Sequence, residues 1–139
     1  MKVLIVEDDH AAAFFFAEVA KTNGYEDVDI AETAEDALAM AINTTYDLIT
    51  LDVQLPGASG LEILSVIRNM SSHAIIAIIS GHLPDDIPPE TNECADVVIR
   101  KPCSVQTLST LMNSSANIHA EMEIIRQLEH PQDQTDSKS

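Results

Sequence analysis

Four short apolar runs in this chain end in side chains that can do chemistry. Glu7-Asp8-Asp9 follows the run at 2–6, and Asp52 follows Leu48 to Leu51. Ser80-Gly81 follows Ala74 to Ile79, and Lys101-Pro102 comes just after Val97 to Ile99. Carboxylates gathered in one place repel one another and call for a hard divalent cation. Magnesium suits such a set, because it takes a few carboxylates and leaves room for water and phosphate oxygens. Lys101 offers a compact positive charge to a phosphoryl oxygen, and the Ser80 hydroxyl can donate to another. Together they describe a carboxylate nucleophile, Asp52, that accepts a phosphoryl group in line while metal and ammonium balance the charge. Each feature alone has a plainer reading: an acid capping a turn, a Ser-Gly turn, a common Lys-Pro pair. The combination works only if all four runs end at the same edge of one sheet.

The elements that would deliver them can be read in order. Lys2 to Val6 is continuously apolar, as in a strand buried on both faces. A helix over residues 10–23, rich in Ala and Phe, stops at Gly24. Phe15, Phe16, Val19 and Ala20 share its buried stripe, and Phe14 points away from it. Asp27 to Ala31 is a weaker strand. Thr33 caps a helix over Ala34 to Ile42, with Asp36 three residues on. Tyr46 to Asp52 is the third strand segment, and Gly60 opens a helix with apolar positions Leu61, Ile63, Leu64 and Ile67. After the fourth strand, Pro84, Pro88 and Pro89 restrict any helix to about Pro89 to Cys94. Ser104 caps a last helix bearing Val105, Leu108 and Leu111; Asn113 to Asn117 are weak helix formers. Apolar residues resume at Ile118, Met122 and Ile125. Strands alternating with helices argue for βα units around a parallel sheet, whose carboxyl edge is where ligands gather.

Composition narrows the functional classes. The chain has 139 residues, 45% hydrophobic and 22% charged, which suits one globular domain. Its net charge of -16 repels nucleic acid phosphates and argues against direct DNA or RNA binding. Cys94 and Cys103 make no disulfide framework and suit a reduced, cytoplasmic setting. No signal peptide or membrane span is expected. His10, His73, His82, His119 and His130 are dispersed, so no histidine metal site is expected.

Val6-Glu7-Asp8-Asp9, Leu51-Asp52 with Pro56 and Gly60, Ser80-Gly81 and Lys101-Pro102 resemble the receiver domain of bacterial two-component response regulators. The resemblance covers roughly residues 1–113. It implies a flavodoxin-like (CheY-like) doubly wound five-stranded parallel sheet, order 2-1-3-4-5, with helices on both faces. It implies phosphoryl transfer to Asp52 from a histidine kinase or histidine phosphotransfer protein. Magnesium would be held by Asp8, Asp52 and the Gln54 backbone carbonyl, with Glu7 acting mainly through water. Ser80 and Lys101 would stabilise the phosphoryl group, and Gln54 and His82 would tune its lifetime. Phe14, on the first helix, could dock a histidine phosphotransfer partner.

Two positions depart from the family pattern. An aromatic switch residue usually stands three residues before the lysine, where this chain has Val98, and Cys103 stands where Phe commonly follows Lys-Pro. Residues 1–115 are expected to form the receiver, 116–130 a helical extension, and 131–139 a polar, disordered tail. The Ile118 to Leu128 stripe could pair two chains or fold back over the domain. The expected function is a stand-alone response regulator with an unidentified downstream protein partner, not an enzyme beyond self-catalysed phosphorylation and dephosphorylation. A phosphorylation-independent adaptor is the alternative, favoured by Val98. An aspartyl-phosphate phosphatase is disfavoured, because Gln54 stands where such enzymes carry a second Asp.

Overall fold

Val, Ile and Leu in unbroken runs make strands that tolerate burial on both faces, and the chain uses them that way. The structure is a computed structural model that describes residues 1–128. The order is β1 (Lys2–Val6), α1 (His10–Thr22), β2 (Asp27–Ala31), α2 (Ala34–Asn43), β3 (Leu48–Leu51), α3 (Gly60–Met70), β4 (Ile75–Ser80), α4 (Pro89–Cys94), β5 (Val97–Arg100) and α5 (Val105–Gln127). All strand pairings are parallel, in the order β2-β1-β3-β4-β5. The expected sheet order is therefore the observed one. The register pairs Val6 with Leu51, Leu51 with Ile78, and Ser80 with Arg100. Glu7, Asp52, Ser80 and Lys101 consequently gather at one edge.

Successive strand side chains alternate between two cores. Leu4, Val6, Ile49, Leu51, Ile76 and Ile78 pack under α2 and α3 with Ala37, Leu64 and Ile67. Val3, Ile5, Leu48, Ala77 and Ile79 pack under α1 and α5 with Phe16, Ala20, Leu108 and Met112. Phe16 and Ala20 are buried, Phe15 is half-buried, and Phe14 is 64% exposed. Local caps stand where the polar residues suggested. Asp9 accepts from the Ala11 and Ala12 N–H groups, Thr33 from Asp36, Ser59 from Leu61, and Ser104 from Thr107. Gly24 follows α1 with φ +93°, a conformation glycine adopts freely.

The prolines confine α4 to six residues, starting with Pro89 at a position that needs no N–H. The weak helix formers at 113–117 do not interrupt α5, which runs unbroken for 23 residues. Packing overrides propensity there: Met112 and Ser115 are buried, and His119 Nε2 lies 2.6 Å from the Asp47 carbonyl. Arg126 reaches His73, with 3.4 Å between nitrogens. The extension thus continues the last helix across the edge of the sheet opposite the site. The expected tail and the end of the extension lie outside the described residues.

Candidate functional site

Asp52 is the first residue beyond β3, and its N–H donates to the Val6 carbonyl at 3.0 Å. Its side chain is nearly buried, and both carboxylate oxygens are engaged. Oδ1 accepts from the Ser80 hydroxyl at 2.6 Å and from the Gln54 N–H at 3.1 Å. Oδ2 accepts from Lys101 Nζ at 3.1 Å. Lys101 also donates to Glu7 Oε1, and the Asp9 N–H donates to Glu7 Oε2 at 3.2 Å. The Lys101 N–H donates to the Ser80 carbonyl at 3.0 Å, which ties the ends of β4 and β5 together.

The charges are strongly linked. Burial opposes ionisation of Asp52, but hydrogen bonds from Ser80, Lys101 and the Gln54 N–H hold its carboxyl below the usual range. Asp52 is therefore ionised at neutral pH and available as a nucleophile. Burial pushes the Glu7 carboxyl up, against the pull of Lys101. Burial also works against the Lys101 ammonium, yet Glu7 and Asp52 raise it above the ordinary lysine range.

Oxygens of Glu7, Asp8 and Asp52 all lie within 4.8 Å of one another. With all three ionised, three carboxylates against one ammonium leave two negative charges, which a divalent cation balances. The donor set is all oxygen, part buried and part exposed, and it fits magnesium. The site opens as a cleft of ≈ 420 Å³, also bordered by Gln54 and His82.

The sequence-predicted residues are brought together with one distinction. Asp9 turns away to cap α1 and stands outside the carboxylate cluster. Val98 lies half-buried on β5 and packs against the core under α3. Cys94 and Cys103 are both unpaired, and burial pushes the Cys103 thiol up, as befits a packed sulfur. Two contributors escaped sequence reasoning. One is the Lys101–Glu7 ion pair, which spans 94 positions and leaves no local signal. The other is Gly60, whose bare α-carbon lies against the Asp52 peptide. The glycine was visible, but what it approaches was not.

Known proteins resemble this chain in sequence and in fold. A family model for the response regulator receiver domain matches residues 3–113. The response regulator ArlR of Staphylococcus saprophyticus is 37% identical over 107 residues, 77% of this chain and 48% of its own length. A response regulator receiver protein of Anaeromyxobacter is 31% identical over 111 residues, 79% of this chain and 46% of its own. The chain thus spans about half the length of these curated relatives. A CheY-like receiver domain from Methanospirillum hungatei superposes with a TM-score of 0.77 at 26% identity, covering 86% of this chain and 97% of that one. The Thermotoga maritima response regulator TrrA, solved in complex with Mg(2+)-BeF, gives 0.73 at 27% identity, covering 82% and 97%. No described helix is long and apolar enough to cross a membrane. With its carboxylates, hydroxyl and lysine converging at the carboxyl edge of a 2-1-3-4-5 sheet, the chain belongs to the response regulator receiver domain family.

Proposed function

We propose that this receiver accepts a phosphoryl group on Asp52 from a histidine kinase or histidine phosphotransfer protein. It then signals, as a cytoplasmic regulator, by onward transfer or by phosphorylation-dependent binding to another protein. One observation carries the reading: an ionised, buried Asp52 has Ser80 on one oxygen and Lys101 on the other. In the transfer, an Asp52 oxygen forms a bond to phosphorus while the P–N bond of the donor phosphohistidine breaks. The imidazole leaves with that electron pair and takes up a proton. Lys101 and the Ser80 hydroxyl then hold phosphoryl oxygens, as groups fixed in advance of the charge they stabilise. Glu7, Asp8, Asp52 and the Gln54 carbonyl would hold magnesium, which supplies positive charge to the phosphoryl oxygens when bound. Gln54 and His82 border the cleft where water must approach the phosphoryl group, and their side chains set its lifetime.

In this reading residues 1–115 form the receiver, and the extension that begins at residue 116 pairs two copies. The unpaired cysteines agree with a reducing compartment. Nucleic acid is not a partner at a net charge of -16. The half-buried, wholly apolar Val98 favours a second reading, an adaptor that binds its partner regardless of phosphorylation.

The test is intact mass after incubation with acetyl phosphate, with and without magnesium, on wild type and Asp52→Ala. A magnesium-dependent phosphoryl adduct absent from Asp52→Ala is expected; no adduct, with magnesium binding also missing, favours the adaptor. Gln54→Ala and His82→Ala should then change the decay of the adduct by roughly tenfold, about one hydrogen bond's worth of barrier. Equal decay in all three proteins removes the lifetime role.

A further inference from the structure

The cations of this chain are distributed unevenly. No lysine or arginine stands between Lys21 and Arg68, while acids recur throughout that stretch. Arg68 cannot neutralise them, because its guanidinium is turned to the carbonyls of Cys94, Ser71 and Ala74 and to Asp96. Glu32 is paired with His10. Glu35 and Asp36 in the first turn of α2 and Glu62 in the first turn of α3 are exposed, with no ion pair among the described residues. Acids suit those positions, but a helix end offers only about half a unit of positive charge and leaves the surface negative.

Between these acids lies a second cavity, of ≈ 440 Å³, where the start of α2 faces the loop before α3. Its walls include Leu38, Pro56, Ala58 and Ile63, with Glu35 beside them. Ile63 is buried, Leu38 and Ala58 are half-buried, and Pro56 is exposed. The apolar surface continues beyond the cavity, since Ile42 lies one turn further along α2 on the face of Leu38 and is 69% exposed. No residue borders both this cavity and the phosphoryl cleft. The loop after Asp52 touches the cleft with Gln54 and the cavity with Pro56 and Ala58.

We propose that this cavity and its acidic rim are a docking surface for a positively charged segment of another protein. The segment seats one apolar side chain on Leu38, Ala58 and Ile63 and sets lysines or arginines against Glu35, Asp36 and Glu62. An apolar floor takes the anchor out of water, while uncompensated carboxylates at the rim select its charged neighbours and repel acidic chains, other copies of this one included. The acids stand on two helices and the apolar surface runs along a third turn, so the occupant is an extended or helical stretch of chain. A partner held there lies beside the phosphoryl cleft without filling it, and the inference does not depend on Asp52 accepting phosphate.

NMR shift titration of the full chain tests this, with a short synthetic peptide carrying one leucine flanked by arginines and the same peptide with serine for leucine. The leucine peptide is expected to bind with a Kd of about 1 mM or tighter and to shift Leu38, Ala58 and Ile63. Serine should weaken binding at least about tenfold, the scale of returning one leucine side chain to water. Glu35→Lys with Glu62→Lys should also weaken it about tenfold. Asp85→Lys with Asp86→Lys changes the net charge equally at exposed positions outside the cavity, and should weaken it less than about threefold. Equal binding of the two peptides, or equal loss in the two charge variants, would mean attraction to net charge alone and overturns the proposal. Absence of binding, or shifts centred on Asp8, Asp52 and Lys101, overturns it too. Shifts of Leu38 and Ile63 that grow with protein concentration, without peptide, give the cavity to a second copy and overturn the basic partner.

Discussion

Gly60 is the first residue of α3, and a Cβ built there would lie 2.1 Å from the Asp52 carbonyl oxygen and 3.0 Å from its carbon. Both are backbone atoms, so a side chain at 60 cannot be accommodated by rotating a neighbour. It must push the peptide that carries the nucleophile. Gly60→Ala is expected to lower stability by about 2 kcal/mol, as overpacking does, and to slow acquisition of the Asp52 adduct by at least tenfold. Gly57 makes the control, because its φ is +87° and a Cβ there meets open space. Gly57→Ala should lose about 1 kcal/mol and leave the adduct rate near wild type. Urea denaturation and the time course of intact mass give the two readouts; equal slowing in both variants would remove the special role of Gly60. At this scale Asp52, Ser80 and Lys101 were legible, since each closes or nearly closes an apolar run. Lys101 meeting Glu7 was not, because no run predicts which distant residue a lysine reaches.

The strands and helices follow their local chemistry closely, and α5 is where local chemistry falls short. Propensity alone argues for a break at Asn113 to Asn117, yet the helix continues because its inner face is held by the domain. Its second half presents Ile118, Ile124, Ile125 and Leu128 to solvent at 46%, 55%, 60% and 67% exposure. Four large apolar side chains on a helix already docked along one face are the ground for the pairing of two copies proposed above. Light scattering at physiological concentration is expected to give a dimer mass, and Ile118→Glu with Ile125→Glu a monomer. A monomeric wild type at concentrations well above those in the cell would leave the extension as a brace across the domain. The start of α4 shows the opposite balance, since Pro84, Pro88 and Pro89 set it locally, whereas its last carbonyl, Cys94, is held by Arg68 of α3.

Across the whole molecule, two buried tyrosines tie separate layers together. The Tyr25 hydroxyl donates to the Met112 carbonyl at 3.1 Å, joining the segment before β2 to α5. The Tyr46 hydroxyl donates to Asp29 at 2.7 Å, joining the segment before β3 to β2. Burial raises both phenols above the ordinary tyrosine value, with Asp29 adding to the shift of Tyr46. A raised phenol keeps its proton in the folded chain after the unfolded chain has lost it. Stability from these groups is therefore complete below about pH 10 and falls as pH rises beyond it, by up to about 1.4 kcal/mol per pH unit for each tyrosine. Tyr46→Phe should cost about 1 kcal/mol at neutral pH and flatten the alkaline fall. Denaturant midpoints from pH 8 to about pH 11 check this; an unchanged slope in Tyr46→Phe would show that its phenol ionises alike in both states.

The amino-acid sequence by itself determined which segments are strands, where the helices are capped, and which acids, hydroxyl and amine stand at the strand ends. Those properties depend on neighbours within a few positions: apolar runs, Pro and Gly punctuation, and Ser, Thr or Asp before a helix. Tertiary structure alone decided that Lys101 bridges Glu7 and Asp52. It also decided that α5 outlasts its weak stretch and that Arg68 locks the end of α4. These are choices among partners far apart in the chain. They are made by burial and by the need of each buried polar group for a partner, which become definite only when the sheet has brought its strand ends to one edge.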